Sequence, residues 1–467
     1  MAQKAAVVLR RWQRNHSGGA QAKPAQLVAF SFLSLIVLGT IVLLLPIARP
    51  AGAGSADLVT ALFTATSATC LTGLIVVDTA TYWSHFGQFV ILMLIQLGGL
   101  GIIMLSTLVS WIIAGRIGVK SRLNTAAEGR GGVHLGEVKT LLIATLSFTF
   151  AIETLVAGLL TWRFHFGYGY SWAAATWEGI FHSISAFNNA GFSLRTDNLV
   201  PYVFDIGMLL PISIAIVIGG LGYPVLLELS LRARRRSQRV RHLPQLSLTA
   251  RFTLIGTVLL LVVGFVGFAT MEWNGAFAGQ PVSGKLLSAA FQSITTRTAG
   301  FNTVDFGAMH PTSLMLTDAL MITGGGSGGT AGGIKITTLA VLVAVVIAEI
   351  RSDEQVMVFG RRIQNRVVRQ AMAVATMAVV LVTSAIGALM LLVPYIPTSQ
   401  LAFEAISAIA TVGLSTGITA VLPTSAKLVI TLLMYAGRIG PITLVAALAA
   451  RHHTRLYSYP DERPLIG

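Results

Sequence analysis

The residues best placed to do chemistry are four glycines, Gly73, Gly191, Gly300 and Gly413, each closing a copy of one short motif. The motif reads FHSISAFNNAGF from Phe181. The other copies read FTATSATCLTGL from Phe63, FQSITTRTAGF from Phe291 and FEAISAIATVGL from Phe403. Each has Phe, any residue, Ala or Ser, Thr or Ile, then Ser or Thr, and reaches a glycine followed by Leu or Phe; the third copy is one residue shorter. Such self-similarity decides the fold before any other signal. Glycine in a structured segment costs entropy unless its backbone freedom is used. A single copy reads as a helix C-cap. Four copies between long apolar segments read as four backbone segments meeting on one axis, where carbonyl oxygens can replace the water around a dehydrated cation. Inside a membrane, non-helical backbone survives only where protein buries it or water lines it.

Other candidates lie outside the motif. Residues Gly324, Gly325, Gly326, Ser327, Gly328, Gly329, Thr330, Ala331, Gly332 and Gly333 form a glycine-rich run inside an apolar span. A phosphate loop needs its second glycine followed by Lys and then Ser or Thr; here Ile334 intervenes before Lys335. The run reads instead as a flexible break in a helix, with close packing of small residues as the alternative. Arg438 sits in the last span, where a charge is costly and usually functional; a structural ion pair or an interface position is the other reading. Lys335 allows the same functional reading, as part of the gate, and equally, lying nearer the inside, can snorkel. Asp78, Asp197 and Asp305 follow their glycines closely and either concentrate cations at an outer mouth or cap helices; Glu178 and Glu404 fit the same two readings. Cys70 is the single cysteine, so no intrachain disulfide forms, and it reads as a small apolar filler.

Composition defines the medium that must hold these elements. Of 467 residues, 54% are hydrophobic and 11% charged, with mean hydropathy +0.75, whereas soluble domains carry about 25% charged residues. The chain reads as an integral membrane protein. Its net charge of +15 does not indicate nucleic acid: the basic residues cluster between apolar spans, on the side the positive-inside rule makes cytoplasmic. Residues 1–25 form a basic cytoplasmic segment. Gln26–Ile47 spans, since about 20 residues suffice; Leu58–Ala68 is too short and re-enters; Phe86–Ala114 returns to Arg116, Lys120, Arg122, Arg130 and Lys139. The cycle repeats as Val138–Trp162, Ala174–Phe187 and Ile206–Leu231, then Leu248–Met271, Leu286–Thr296 and the broken Ser313–Ile350, then Val368–Val393, Leu401–Ala410 and Leu422–Ala449. The expected fold is all-α: eight transmembrane helices and four re-entrant loops in pseudo-fourfold arrangement. Its repeats cover 26–120, 138–236, 246–351 and 368–450, a cytoplasmic tail covers 451–467, and both termini are cytoplasmic.

Four span–pore-helix–span units, each with a single motif glycine, resemble the Trk/Ktr/HKT superfamily of potassium transporters. Because the chain starts directly with the first unit, it resembles the shorter KtrB-type subunit. The resemblance implies potassium uptake across the cell membrane, a homodimer, and a cytosolic ring of nucleotide-binding regulatory subunits. It implies a filter of Leu71, Thr72 and Gly73, of Asn189, Ala190 and Gly191, of Thr298, Ala299 and Gly300, and of Thr411, Val412 and Gly413. It also implies that the Gly324–Gly333 run is an intramembrane gate below the filter, with Arg438 in the pore beside it. Sodium-preferring plant relatives carry serine at the first filter glycine; Gly73 here favours potassium, and the shorter third copy makes the filter only approximately symmetric. A sodium-preferring or weakly selective pore is the rival reading. A membrane enzyme lacks support, since the spans hold no paired carboxylates, HExxH or GxSxG arrangement. No cofactor is expected, potassium being the transported substrate.

Overall fold

The structure, a computed structural model, describes residues 24–100, 135–237 and 245–440. Most of the basic N-terminal segment, the far ends of the first and fourth returning spans, Arg116, Lys120, Arg122, Arg130, Arg239, Arg241 and the tail 451–467 lie outside the described residues.

The helices are α1 (Pro24–Leu43), α2 (Leu58–Cys70), α3 (His85–Gly99), α4 (Leu135–Tyr168), α5 (Trp172–Phe187), α6 (Ile206–Leu221), α7 (Tyr223–Ser237), α8 (Leu248–Met271), α9 (Val282–Thr295), α10 (Pro311–Ile322), α11 (Ile336–Ile350), α12 (Asn365–Leu392), α13 (Thr398–Ala410) and α14 (Thr424–Ile439). Polar caps set many of their starts by accepting from otherwise orphaned amides. Asp57 accepts from the Val59 and Thr60 amides at 3.0 and 3.3 Å, Ser171 from Ala174 at 3.3 Å, and Asp205 from Gly207 and Met208 at 2.9 and 3.3 Å. The short helices therefore begin at or before their expected starts, α5 at its Ser171 cap and α9 and α13 just after Pro281 and Pro397.

By length and composition Thr145–Tyr168, Leu248–Met271 and Asn365–Leu392 can each cross a membrane. Their outer faces leave large apolar side chains uncovered, as at Val258, Leu259 and Val379, which a lipid surround accepts and water does not. Helices α1, α2 and α3 pack together, as do α4, α5 and α6; α8 packs with both α9 and α10, and α12, α13 and α14 pack together. Contacts between these groups close a circle: α14 packs on α2, α3 on α5, α6 on α9, and α10 on α13. The motif phenylalanines Phe63, Phe181, Phe291 and Phe403 are at most 1% exposed, so each short helix is anchored by the same ring at the same register.

The expected break between α10 and α11 is present. It is a closed loop rather than free chain: the Gly324 amide donates to Ile334 O at 2.9 Å, Ile334 to Ile322 O at 3.0 Å and Ile336 to Gly325 O at 3.1 Å. The expected span Ile206–Leu231 is not continuous. It breaks at Gly222, where φ is +89°, and α6 and α7 diverge by 101°. Pro224 follows, which removes a helical donor, and a Cβ on Gly222 would lie 2.7 Å from Ser327 O. The glycine run thus packs into the kink. The all-α expectation has a small exception: strands β1 (Met357–Val358) and β2 (Arg361–Arg362) pair antiparallel around Phe359 and Gly360, whose φ values of +50° and +73° make the tight hairpin turn.

Close backbone contact recurs where returning helices pass the short ones. A Cβ added to Gly98, Gly219 or Gly437 would collide with the carbonyl oxygen of Thr69, Phe187 or Ile409 respectively. Gly437→Ala is therefore expected to destabilise the protein by about 1–3 kcal/mol. Gly387→Ala, on α12 with nothing within 4 Å of the added carbon, is expected to raise stability slightly through helix propensity. Unfolding midpoints of the two variants in detergent measure the contrast.

Candidate functional site

The four glycine segments adopt one backbone. Two residues before each glycine the chain enters the left-handed region, with φ of +57° at Leu71, +54° at Asn189, +70° at Thr298 and +51° at Thr411. It returns there at Gly73, Gly191, Gly300 and Gly413, with φ of +86°, +71°, +76° and +91°. A non-glycine residue in that region costs about 1–3 kcal/mol and persists only where its surroundings enforce it. Part of the enforcement is a hydrogen bond back to the short helix. The amides of Thr72, Ala190 and Val412 donate to the carbonyls of Ser67, Ser185 and Ser407 at 2.8, 2.8 and 2.9 Å. In the shorter third copy Ala299 donates to Thr295 O at 3.0 Å, so the missing residue comes out of the helix end and the limb keeps its shape.

A second restraint comes from the hydroxyl four residues after each motif phenylalanine. Ser67 Oγ donates to Leu74 O at 2.7 Å, Ser185 Oγ to Phe192 O at 2.7 Å and Thr295 Oγ1 to Phe301 O at 2.5 Å. In the fourth copy the sense reverses, and Ser407 Oγ accepts from the Gly413 amide at 3.1 Å. The repeated Ser or Thr at that motif position was the visible signal for this clamp, and sequence reasoning assigned it no role.

The limbs meet. A Cβ on Gly73 would strike Ala190 O and lie 3.2 Å from Gly191 Cα; on Gly191 it would lie 2.8 Å from Ala299 O and 2.9 Å from Gly300 Cα. On Gly300 it would strike Val412 O and lie 3.3 Å from Gly413 Cα, and on Gly413 it would strike Thr72 O and lie 3.0 Å from Gly73 Cα. Each limb touches the next, and the fourth touches the first. Thr72, Ala190, Ala299 and Val412 are themselves fully buried, while their carbonyl oxygens lie against the neighbouring glycines. The four motif glycines and the residues before them, Thr72, Ala190, Ala299 and Val412, thus come together.

The glycine run lies against this ring where the short helices end. Thr330 is its centre. Its Oγ1 lies 3.3 Å from both Phe187 O and Asn189 Oδ1, its amide donates to Gly219 O at 3.3 Å, and its carbonyl accepts from Arg438 Nη1 at 2.6 Å. A Cβ on Gly332 would strike Thr411 Oγ1. Gly326 donates to Gly220 O at 2.8 Å, Ser327 and Thr337 share a hydroxyl contact at 2.8 Å, and Lys335 Nζ donates to Ala331 O. Gly325, Gly328 and Gly329 pack against Gly220 O, Pro224 and Gly219 O, and Gly333 turns back at φ +65° onto Gly324. Arg438 is 7% exposed, and its Nη2 donates to Gly98 O at 2.7 Å. Arg297, which the sequence reading passed over inside the third motif, is also buried, with Nη1 and Nη2 3.5 Å from Thr257 O and Gly324 O. Among the described residues no carboxylate is within salt-bridge distance of Arg297, Lys335 or Arg438.

Asp78, Asp305, Glu178 and Glu404 make side-chain contacts that hold local structure. Asp78 caps the short helix Thr79–Tyr82 and accepts from the Thr196 hydroxyl at 2.8 Å; Asp305 accepts from the Gly307 amide at 2.8 Å. Asp197 is exposed. Glu178 faces Arg195 at 3.2 Å and His182 at 3.3 Å, and buried Glu404 accepts from Thr419 at 2.8 Å and from Ser415. Cys70 is fully buried, as a filler would be.

A helical membrane protein closed around a backbone-lined axis is the class these features define. The chain belongs to the TrkH family of cation transport proteins, whose family model matches residues 1–455. It is similar to the Ktr system potassium uptake protein B of Bacillus subtilis, 37% identical over 95% of this chain and 97% of that one. It is also similar to the potassium/sodium uptake protein NtpJ of Enterococcus hirae, 36% identical over 95% and 97%. The crystal structure of the potassium transporter TrkH from Vibrio parahaemolyticus shares the fold, with a TM-score of 0.71, 18% identity, and coverage of 93% of this chain and 86% of that one.

Ser185→Ala removes the donor to Phe192 O and leaves a buried carbonyl without its partner, a cost of about 1–3 kcal/mol. Its unfolding midpoint is expected to fall well below that of Ser230→Ala, whose hydroxyl bonds only its own helix at Leu227 O, 2.8 Å away.

Proposed function

We propose that this chain takes up potassium across the cell membrane, down its electrochemical gradient, through the ring of four glycine limbs. The observation that carries the reading is the closed circle of contacts Gly73–Gly191–Gly300–Gly413, with carbonyl oxygens of Thr72, Ala190, Ala299 and Val412 at each step. Such oxygens replace a hydration shell in a selectivity filter. The relatives named as potassium uptake proteins support the choice of ion, as does Gly73 in place of the serine of sodium-preferring plant proteins. The fold behind it is four span–pore-helix–span repeats, eight spans in all, with residues 26–120, 138–236, 246–351 and 368–450 as the units and both termini cytoplasmic. The protein acts as a transporter and catalyses no covalent step.

Residues 324–333 serve as the gate. Arg438, Lys335 and Arg297 place positive charge beside the axis without carboxylates to neutralise it, so the closed loop presents both a steric and an electrostatic barrier. Opening separates Thr330 from Arg438 and from Asn189, and the kinked α7 and the start of α11 are the levers through which a cytosolic nucleotide-binding ring acts on a homodimer of this chain. A second reading, a pore that also passes sodium, is favoured by one observation: a relative 36% identical is named a potassium/sodium uptake protein.

The test is growth of a potassium-uptake-deficient host on low potassium, followed by flux in liposomes. The parent is expected to restore growth, and Gly300→Ser to weaken potassium affinity or discrimination against sodium. A membrane-inserted parent that gives no rescue, or unchanged affinities for both ions in Gly300→Ser, ends the reading. Arg438→Ala is expected to raise basal flux. Hydrogen bonds from a charged group contribute about 1.5–3 kcal/mol, and losing those to Thr330 and Gly98 shifts a closed–open equilibrium about tenfold or more. Basal flux equal to or below the parent's, in folded protein, would show that Arg438 supports the structure without closing the pore.

A further inference from the structure

Glu153 lies in the middle of α4, 4% exposed, in a helix long and apolar enough to span a membrane. Among the described residues no cation is within salt-bridge distance of it. Its partners are side-chain amides. Oε2 accepts from Gln96 Nε2 of α3 at 3.1 Å, and Oε1 accepts from Asn188 Nδ2 at 3.1 Å. The same Asn188 nitrogen lies 3.0 Å from Gln96 Oε1 and 2.9 Å from Ile184 O. Ser183 Oγ of α5 donates to the Glu153 carbonyl at 2.6 Å. Three helices therefore converge on one carboxyl group, and Asn188 is the residue before Asn189, where the second limb enters its left-handed turn.

An acidic side chain at that depth is expensive and marks function by default. Gluing three helices together does not require it, since well-packed apolar residues do that at equal or lower cost. What an apolar trio cannot do is fix the direction of Asn188. The neighbouring limbs approach so closely that a Cβ on Gly191 would lie 2.9 Å from Gly300 Cα, and ion-binding geometry tolerates errors of only about 0.5 Å. The other limbs carry Cys70, Arg297 and Ala410 at the position of Asn188, so this amide strut is particular to the second limb.

We propose that Glu153, acting through Asn188 and Gln96, is a positioning residue that sets the second limb of the filter and so the discrimination between potassium and sodium; this rests on the filter reading above. Glu153→Leu removes both acceptors: the buried Gln96 amide loses its partner, and Asn188 Nδ2 loses the one acceptor that ties it to α4 while keeping Gln96 Oε1 and Ile184 O, whereas Glu153→Gln keeps one acceptor. Purified variants in liposomes are compared with the parent for the potassium KM, the maximal rate and the potassium-to-sodium flux ratio. Glu153→Leu is expected to raise the potassium KM about tenfold and lower the flux ratio while largely keeping the maximal rate, with Glu153→Gln between it and the parent and Asn188→Ala resembling Glu153→Leu. A monodisperse Glu153→Leu protein with parental KM and flux ratio overturns the proposal, as does a fall in maximal rate alone. Should Glu153→Leu fail to fold, parental KM and ratio in Asn188→Ala overturn it instead. Gly300→Ser run in parallel separates the two ideas. A changed ratio there with none in the Glu153 and Asn188 variants removes only the positioning role; no change in any of them removes the filter reading as well.

Discussion

Four backbones approach one axis so closely that a single added carbon on any of them would meet the next. The rest of the molecule follows from this contact. Only glycine fits at the closing position, and the residue two before it must tolerate a left-handed turn whatever its side chain. Leu71, Asn189, Thr298 and Thr411 do so because each is held on both sides. A buried phenylalanine fixes the rotation of the short helix, a helix-end carbonyl receives the following amide, and a serine or threonine hydroxyl holds the limb as it leaves. Close approaches elsewhere, at Gly98, Gly219 and Gly437, press the returning helices onto the ends of the short helices.

The same geometry sets the electrostatics. Short helices end beside the axis, and a helix C-terminus carries about half a negative charge. That field favours a cation there in the absence of any carboxylate. The guanidinium of Arg438, bonded to Thr330 O and Gly98 O, supplies positive charge in this region. Its two bonds go to backbone carbonyls, and its buried Nε has no hydrogen-bond partner among the described residues.

The glycines and the broken third returning span were legible because their signals are local: a repeated word, and a run of glycine where helix should continue. The kink at Gly222 was not, because one glycine and one proline in an apolar stretch are compatible with a continuous span until Ser327 and Gly328 are seen filling the bend. Arg297 lay inside the third motif without drawing a reading, since nothing local shows that it reaches Gly324 across the fold. The hydroxyl clamps stood in plain view as a repeated Ser or Thr, but their acceptors lie beyond the turn. Gln96, Glu153 and Asn188 come from three separate helices, and their meeting is a tertiary fact. Asp78 and Asp305 were ambiguous because an acidic side chain just before a helix start is a cap and an acid at an opening alike.

Repetition in the limb backbone coexists with asymmetry in what surrounds it. The four limbs share dihedral angles, yet the loop belongs to the third returning span, the sharp bend among the described residues to the second, and the buried arginine with two carbonyl partners to the fourth. An assembly of identical subunits would repeat any such feature around its axis. A single chain escapes that restriction, because each quarter can diverge once the shared backbone is secured. The bend in α6–α7 makes room for the loop from α10–α11, and Arg438 of α14 closes over it from the far side. The glycine run and the limb ring are joined through contact: Thr330 touches Asn189, Gly332 abuts Thr411, and Arg297 joins the third limb to Gly324. The loop therefore touches three limbs, each through a different contact.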